Sequence, residues 1–534
     1  MVDLNLFRNT IIKNELDNDD FNFWFDKKDK KFMHQIDTFY YSVKLENDFT
    51  KDSCDYNVRS FRRYYNQLES ATTFDDVYSQ SFGNDYVLNY KKGVYAGMYN
   101  VHLVCPDYFD VFIASKVPAG VDGSESLTCE IIVQIRSYML WMYGVNASFE
   151  KSYSYIKAIC SHFKFKIRSV QENRVDYCWH SNYLNNPEKF FAPDKFYKMR
   201  VDRFKGANFH TEKVGMSDFE IDYISMGKRS DKIFVRIYMK SKEVIEQGYK
   251  GWFFKMWLFN GLINRYDFYV FEKCYLKSSW NYINYARLEW YIDYGSDHNY
   301  INRCKRIIDN IDDVSDSVLQ ELADLLTPKV TIIMNVEYQT MRKHTKSYEL
   351  PPFRDNDKYK ECKRIYDFFD CRKLITDYLT HYIFRLVEVT DDSNKSRADY
   401  CVFWKSLRSC RMVDVKLTPA EIKLTRNYNR NLNAELLKKR VLNSAITYGI
   451  YTRGINDDDV AYDFADVLCQ LNDNDIYNST VYKNKKVLQF NEDELKDTFL
   501  NKSKCNYNIV DITSGEVIKN NIPQIVENVK GGIK

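Results

Sequence analysis

From Tyr86 onward, apolar and polar residues alternate in short runs closed by turn signals. A period of two is met by strands whose two faces meet different surroundings. VYAGMYNVHLVC, YFDVFIASKV and LTCEIIVQIRSYMLWMYG read as three successive strands, with turns at CPD and PAGVDGSES, and an antiparallel meander is their simplest arrangement. SFEKSYSYIKAICSHF then shows helical spacing, with Ser148 as its expected N-cap, and KIRSVQENRVDYCWH returns to strand. FEIDYISMGKRS and DKIFVRIYMKSKE pair about a polar turn from Lys228 to Asp231, and the second runs on into a helix. An aromatic stretch from Trp252 to Leu276 precedes NYARLEWYIDYG, read as a strand with Arg287 and Glu289 pointing outward. These elements define an α+β domain over about residues 86–300, built on an antiparallel sheet.

The flanks carry a different pattern. Residues 1–85 mix acidic and basic clusters with short amphipathic stretches; SFRRYYNQLES reads as a helix, and no chemistry is evident there. Residues 301–534 are expected to be mainly helical, from RCKRIIDNI, SVLQELADLL, KECKRIYDFF, RKLITDYLTHYIFRLVEV and PAEIKLTRNYNRNLNAELLKKRVLNSAI. The tail from about Asn472 reads as loosely ordered. The longest apolar runs are interrupted and too short to span a bilayer, and the N-terminus lacks the basic start and apolar stretch of an export signal, so a cytoplasmic protein is expected. Thirteen cysteines without a C-x-x-C pair fit reduced thiols and neither a disulfide frame nor a zinc site.

Phosphate-loop, dinucleotide, serine-hydrolase and paired-histidine metal motifs are all absent. Any metal would therefore be held by carboxylates, which favour Mg²⁺ or Mn²⁺. The net charge is only +3, yet residues 151–250 hold 20 Lys and Arg against 12 Asp and Glu. A local basic excess interleaved with aromatic residues suits phosphate binding, and a solvated basic face reads equally well. The 43 Tyr and 35 Phe fit either AT-rich coding or a stacking surface.

Three strand-borne motifs stand out. In RVDYCWH, Asp176 and His180 share a strand face. In GKRSDKIFVRIYMKSKE, alternation puts Arg236, Tyr238 and Lys240 on one face, and a phenol between two cations favours the phenolate and attracts phosphate. ARLEWYIDYG offers Glu289 beside Arg287. The plain alternatives are a half-buried packing tyrosine, carboxylates paired across strands with Arg or Lys, and a hydrogen-bonded structural histidine.

These motifs resemble the replication initiation factor family, which includes rolling-circle initiators of small Gram-positive plasmids and relaxases of integrative conjugative elements. The resembling residues are Arg174-Val175-Asp176, then Gly227-Lys228-Arg229-Ser230 leading to Arg236-Ile237-Tyr238-Met239-Lys240, then Arg287-Leu288-Glu289, in the family's order over about residues 90–295. Asp231 and Ala286 stand where the family pattern has Ser and Trp, and His180 where many members have a second Asp. The resemblance implies a site-specific DNA nickase. Tyr238 is its nucleophile, forming a 5′-phosphotyrosyl bond and freeing a 3′-hydroxyl, and Arg236 or Lys240 offsets phosphoryl charge. It also implies a divalent metal, Mg²⁺ or Mn²⁺, with Asp176 and Glu289 as ligands and Glu130 and His180 as further candidates. Lys228, Arg229 and Arg287 are the candidate DNA contacts. The partners it implies are a replication origin or an origin of transfer, with a host helicase or a second copy of the chain at the helical region. A DNA-binding regulator that has lost catalysis, and an aromatic-rich assembly protein, are the competing readings.

Overall fold

Two strands from outside the expected α+β domain organise the sheet. The computed structural model describes most of residues 24–410 and, beyond them, the strands Tyr507–Val510 and Val517–Lys519. The chain divides into two units: Met1–Glu69 with Ser79–Asn427 and Asp511–Gly515, and Ser70–Tyr78 with Tyr428–Val510 and Glu516–Lys534. In the second unit an antiparallel hairpin sets Asn508 opposite Lys519 and Val510 opposite Val517.

The strands of the rest of the chain are β1 (Phe32–Leu45), β2 (Val77–Gln80), β3 (Leu88–Tyr90), β4 (Val101–Cys105), β5 (Phe109–Ile113), β6 (Ile131–Ile135), β7 (Ile167–Ser181), β8 (Arg200–Asp202), β9 (Asn208–Val214), β10 (Asp218–Met226), β11 (Ile233–Met239), β12 (Met334–Met341) and β13 (Phe384–Leu386). Within the first unit they lie in the order β3-β4-β5-β6-β1-β7-β12-β11-β10-β9, with β8 and β13 paired apart. Neighbours are antiparallel, so the fold class is α+β with an antiparallel sheet. The β4–β5–β6 meander and the β10–β11 pair are as the alternation predicts.

β1 comes from the N-terminal 85 residues and β12 from the region expected to be helical, yet they flank β7 at the centre of the sheet. Both strands are buried nearly throughout, with polar residues such as Gln35, Asp37, Asn335 and Glu337 inside. Both lie outside the alternating run of about residues 86–300, in flanks whose sequence reads as mixed or helical. The SFRRYYNQLES helix is part of Tyr56–Ala71.

Two further segments and one expected N-cap depart from expectation. SYMLWMYG belongs to the helix Ser137–His162, which starts after Arg136 and kinks at Gly144. Ser148 lies inside that helix with its hydroxyl donating to the Met139 carbonyl at 2.9 Å, so it is no N-cap. NYARLEWYIDYG is helical, within Ile283–Tyr294, because its buried Ala286, Arg287, Trp290 and Tyr291 recur at spacings of four. With Trp252–Phe259 and Arg265–Lys277 it forms an aromatic helical layer whose core includes Trp141, Phe253, Trp257, Tyr266 and Trp290.

Beyond residue 300 the helices His298–Asp309, Asp316–Leu326, Lys363–Asp370, Arg372–Tyr378 and Val402–Ser409 match the expected helical character. The expected helix at PAEIKL and its continuation lies outside the described residues, as does the tail from Asn472 apart from the hairpin strands. Among the described residues no helix is long and apolar enough to cross a membrane.

Candidate active site

The register of β11, β12 and β7 stacks the chemistry-bearing residues in rows. Tyr238 lies opposite Asn335, which lies opposite His180; two residues along, Arg236, Glu337 and Cys178 line up; two further, Phe234, Gln339 and Asp176. A period of two puts all three rows on one face. That face is covered by Trp141, Phe253 and Trp257 from the helices packed on it.

Tyr238 is only 6% exposed. Its hydroxyl donates to Glu337 Oε2 at 3.0 Å and accepts from Asn335 Nδ2 at 2.9 Å and Lys240 Nζ at 3.3 Å. Arg236 sets two N–H groups on Glu337 Oε1, at 2.6 and 3.2 Å. Lys240 begins the helix Lys240–Gln247 instead of ending the strand, and its ammonium, fully buried, pairs with Glu243 at 2.5 Å. The two cations flank the phenol as expected, with Arg236 4.9 Å and Lys240 5.5 Å from the ring centroid. They do not produce a phenolate. Burial, reinforced by Glu243 and Glu337, pushes the phenol well above its ordinary range despite both cations. The resting state is a neutral phenol whose proton points at a carboxylate. Burial also raises the Glu337 carboxyl, but Arg236 and Lys240 outweigh it and hold the group ionised, below its ordinary range. An ionised carboxylate at hydrogen-bond distance from a hydroxyl is a general-base arrangement.

His180 accepts the Trp257 indole N–H on Nδ1 at 3.2 Å, so the neutral ring carries its proton on Nε2, which has no partner among the described residues. Burial, with Lys240 and Lys250, holds this imidazole well below its usual range. Beside it Asp37, at a β1 irregularity, accepts from Ser137, from Trp141 Nε1 at 3.2 Å and from Lys250 at 3.2 Å. Burial works against ionisation of Asp37, but Lys250, Lys240 and Ser137 overcome it and leave the carboxyl far below the ordinary range.

Asp176 holds Arg174 by two bonds of 2.9 and 2.6 Å. Burial, with Glu337 and Asp37 nearby, still outweighs Arg174 and lifts its pKa from 3.8 to about 6. A folded-state pKa above the unfolded one means that the protonated form stabilises. That contribution is complete below about pH 4 and is lost as pH rises through about 6. In Asp176→Asn the pH dependence of unfolding between pH 4 and 6 should flatten, read by urea midpoints across that range; an unchanged profile would assign the titration elsewhere.

The structure thus brings Asp176, His180, Arg236, Tyr238 and Lys240 onto one face. The other candidates lie elsewhere. Glu130, just before β6, accepts from Lys44 at 2.6 Å and from the Leu45 N–H at 2.8 Å. Glu289, on a helix and not a strand, is held by Tyr282 and by Lys273 at 3.1 Å. Arg287, only 4% exposed, is buried against the end of Asp316–Leu326, donating to Thr327, the Ala323 carbonyl and Asp324; it ties two helices together and presents nothing to DNA. The metal-ligand set expected from Asp176, Glu289, Glu130 and His180 does not converge, and both Asp176 oxygens are taken by Arg174. Among the described residues no three His, Cys, Asp or Glu are grouped to hold a metal ion.

Lys228 and Arg229 occupy the exposed turn at the far end of β11. Gly227 begins it with φ +81°, where a Cβ would stand 3.0 Å from the Ile233 carbonyl oxygen and 3.1 Å from the Phe204 ring. Asp231 closes the turn, its carboxylate accepting the Lys228 N–H at 2.7 Å, as a serine hydroxyl would.

The sequence reading missed Glu337, Asn335, Asp37 and Lys250. MNVEYQTM does alternate, with Asn335, Glu337 and Gln339 at every second position after a β-branched run, and that was the available signal.

No family model matches this sequence, and no curated protein does. Among solved structures, a rolling circle replication initiator protein from Geobacillus stearothermophilus superposes with a TM-score of 0.32 at 11% identity, covering 71% of this chain and 96% of that one. A superposition that loose carries no argument about shared architecture or chemistry.

Proposed function

We propose that the protein nicks and rejoins single-stranded DNA at a specific site, with Tyr238 as nucleophile and Glu337 as its base. The observation that carries this reading is the Tyr238 hydroxyl donating to an ionised Glu337 carboxylate between Arg236 and Lys240. The phenolic oxygen attacks a backbone phosphorus, the O–P bond forms, the bond to the 3′-oxygen breaks, and the phenolic proton passes to Glu337 Oε2. The 3′-oxygen takes a proton from water and leaves as a hydroxyl. The 5′-phosphotyrosyl bond keeps the energy for rejoining. Lys240 and Arg236 offset charge on the phosphoryl oxygens. Because Tyr238 is buried, DNA reaches it when the covering side chains move aside. The order of the motifs from Arg174 to Lys240 supports the same reading, for a replication initiator acting at an origin or a relaxase at an origin of transfer.

Incubation with labelled single-stranded DNA of the protein's own replicon or element, with and without Mg²⁺, Mn²⁺ or EDTA, should yield a covalent adduct on a denaturing gel. Tyr238→Phe should abolish the adduct and retain DNA binding. An adduct that persists would displace Tyr238 from the role. A second reading, DNA binding without catalysis, is favoured by the near-complete burial of Tyr238 and its full set of hydrogen bonds. Salt-sensitive binding with no cleavage on any substrate would select it.

A further inference from the structure

At the other end of β11 and β12 the rings are arranged differently from those in the core. After Arg372–Tyr378 the chain makes a π-helical turn, Leu379–Ile383, which sets the Tyr378 and Tyr382 rings 5.4 Å apart and 34° from parallel. His344, in the turn after β12, lies 6.2 Å from Tyr378 at 26°. Three aromatic faces therefore follow one another, ending in Tyr382, which is 53% exposed. The Tyr348 hydroxyl, 2.8 Å from His344 Nε2, fixes the imidazole at the inner end.

Cations surround this stair. The Arg203 N–H donates to the Ile383 carbonyl at 3.2 Å, and the Lys232 carbonyl accepts the Met341 N–H at 2.9 Å, so both residues are anchored beside it. Burial lowers the proton affinity of His344, and Lys232 and Arg203 lower it further, which places their charges near the ring. Arg203, Lys232 and Lys343 are exposed and make no ion pair among the described residues. Neighbouring carboxylates are already taken: Asp202 by Arg200, Glu172 by Arg342 and Arg364, and Asp377 by Lys373. Unpaired cations beside the exposed Tyr382 ring, backed by the half-buried Tyr378 and His344, suit a phosphate backbone whose bases are free to stack; a duplex offers its phosphates but keeps its base faces covered.

We propose that Tyr382, Tyr378 and His344 form a stacking platform for unpaired bases of single-stranded DNA, with Arg203, Lys232 and Lys343 holding its phosphates. The proposal rests on the reading of the protein as one that acts on single-stranded DNA. It places the bound strand beyond the Ile233 end of β11, roughly 17 Å from Tyr238 at about 3.4 Å per residue.

Fluorescence anisotropy of the full-length protein with a labelled oligodeoxythymidylate, and with a duplex of equal length, tests it. Tyr382→Ala should weaken single-strand binding roughly five- to a hundredfold and leave duplex binding within about twofold, while Tyr382→Phe binds like the parent. Lys232→Ala should lower the dependence of log affinity on log salt by about 0.7. Wild-type single-strand affinity in Tyr382→Ala, equal losses on duplex and single strand, or no binding by the parent protein would each overturn it. Adduct formation by the parent protein and by Tyr382→Ala separates the two proposals. Binding that depends on Tyr382 without any adduct from the parent protein leaves the platform standing and removes the nickase; an adduct that forms normally in Tyr382→Ala with unchanged binding does the reverse.

Discussion

Glu337→Gln should slow formation of the covalent protein–DNA adduct by roughly 10²- to 10⁴-fold, the usual loss when a positioned general base is removed. The amide keeps the shape of the carboxylate and still offers Tyr238 an oxygen, but it cannot take the phenolic proton, and burial holds that proton more firmly than usual. Single-turnover adduct formation, read on a denaturing gel against DNA affinity, measures it; a wild-type rate would remove Glu337 as the base. Glu337→Ala carries a second cost. Both variants remove the charge opposite Arg236, whose side chain is 22% exposed, but Glu337→Ala also removes the oxygen that accepts its two N–H groups, and breaking a buried pair from one side costs about 3–5 kcal/mol. A urea midpoint well below that of Glu337→Gln should record the difference.

The second large effect is expected at a residue with no part in the chemistry. Glu172, fully buried on β7 beside a register shift, accepts from Arg342 at 2.6 Å and from Arg364 at 2.9 Å. These bonds fasten the segment after β12 and the helix Lys363–Asp370 to the sheet. Glu172→Ala leaves two guanidiniums, each about 30% exposed, without their counter-ion. A loss of about 3–5 kcal/mol corresponds to a melting temperature lower by roughly 3–6 °C for a unit of this size. If Arg342→Ala and Arg364→Ala are each strongly destabilising but add little in the Glu172→Ala background, the cluster acts as one unit; additive losses would show that it does not. His344 sits two residues after Arg342, so single-strand binding should weaken in Glu172→Ala as well.

The legible parts of the fold were those set off by turn signals. β4, β5 and β6 are short apolar runs set off by turns, although β4 is buried throughout and β5 nearly so, and β10 and β11 were marked by the turn that Gly227 and Asp231 close. The Arg236-Tyr238 face was legible from the period of two alone, although helices cover it, and the structure keeps both residues on one carboxylate. ARLEWYIDYG misled because a few alternating charges satisfy a strand period and a helix period equally over so short a run; its burial pattern, invisible in the sequence, decides for the helix.

The sequence by itself determined the antiparallel α+β character, the β10–β11 pairing and the placing of a phenol between two cations. Only the tertiary structure decided that β1 and β12, from the two ends of the domain, flank β7, and that Glu337 meets the Tyr238 hydroxyl across a residue separation of 99. Local spacing encodes which face a side chain takes, because that depends on backbone geometry alone. Which carboxylate faces it, and whether its proton stays on, depend on strand order and burial, which are properties of the assembled sheet.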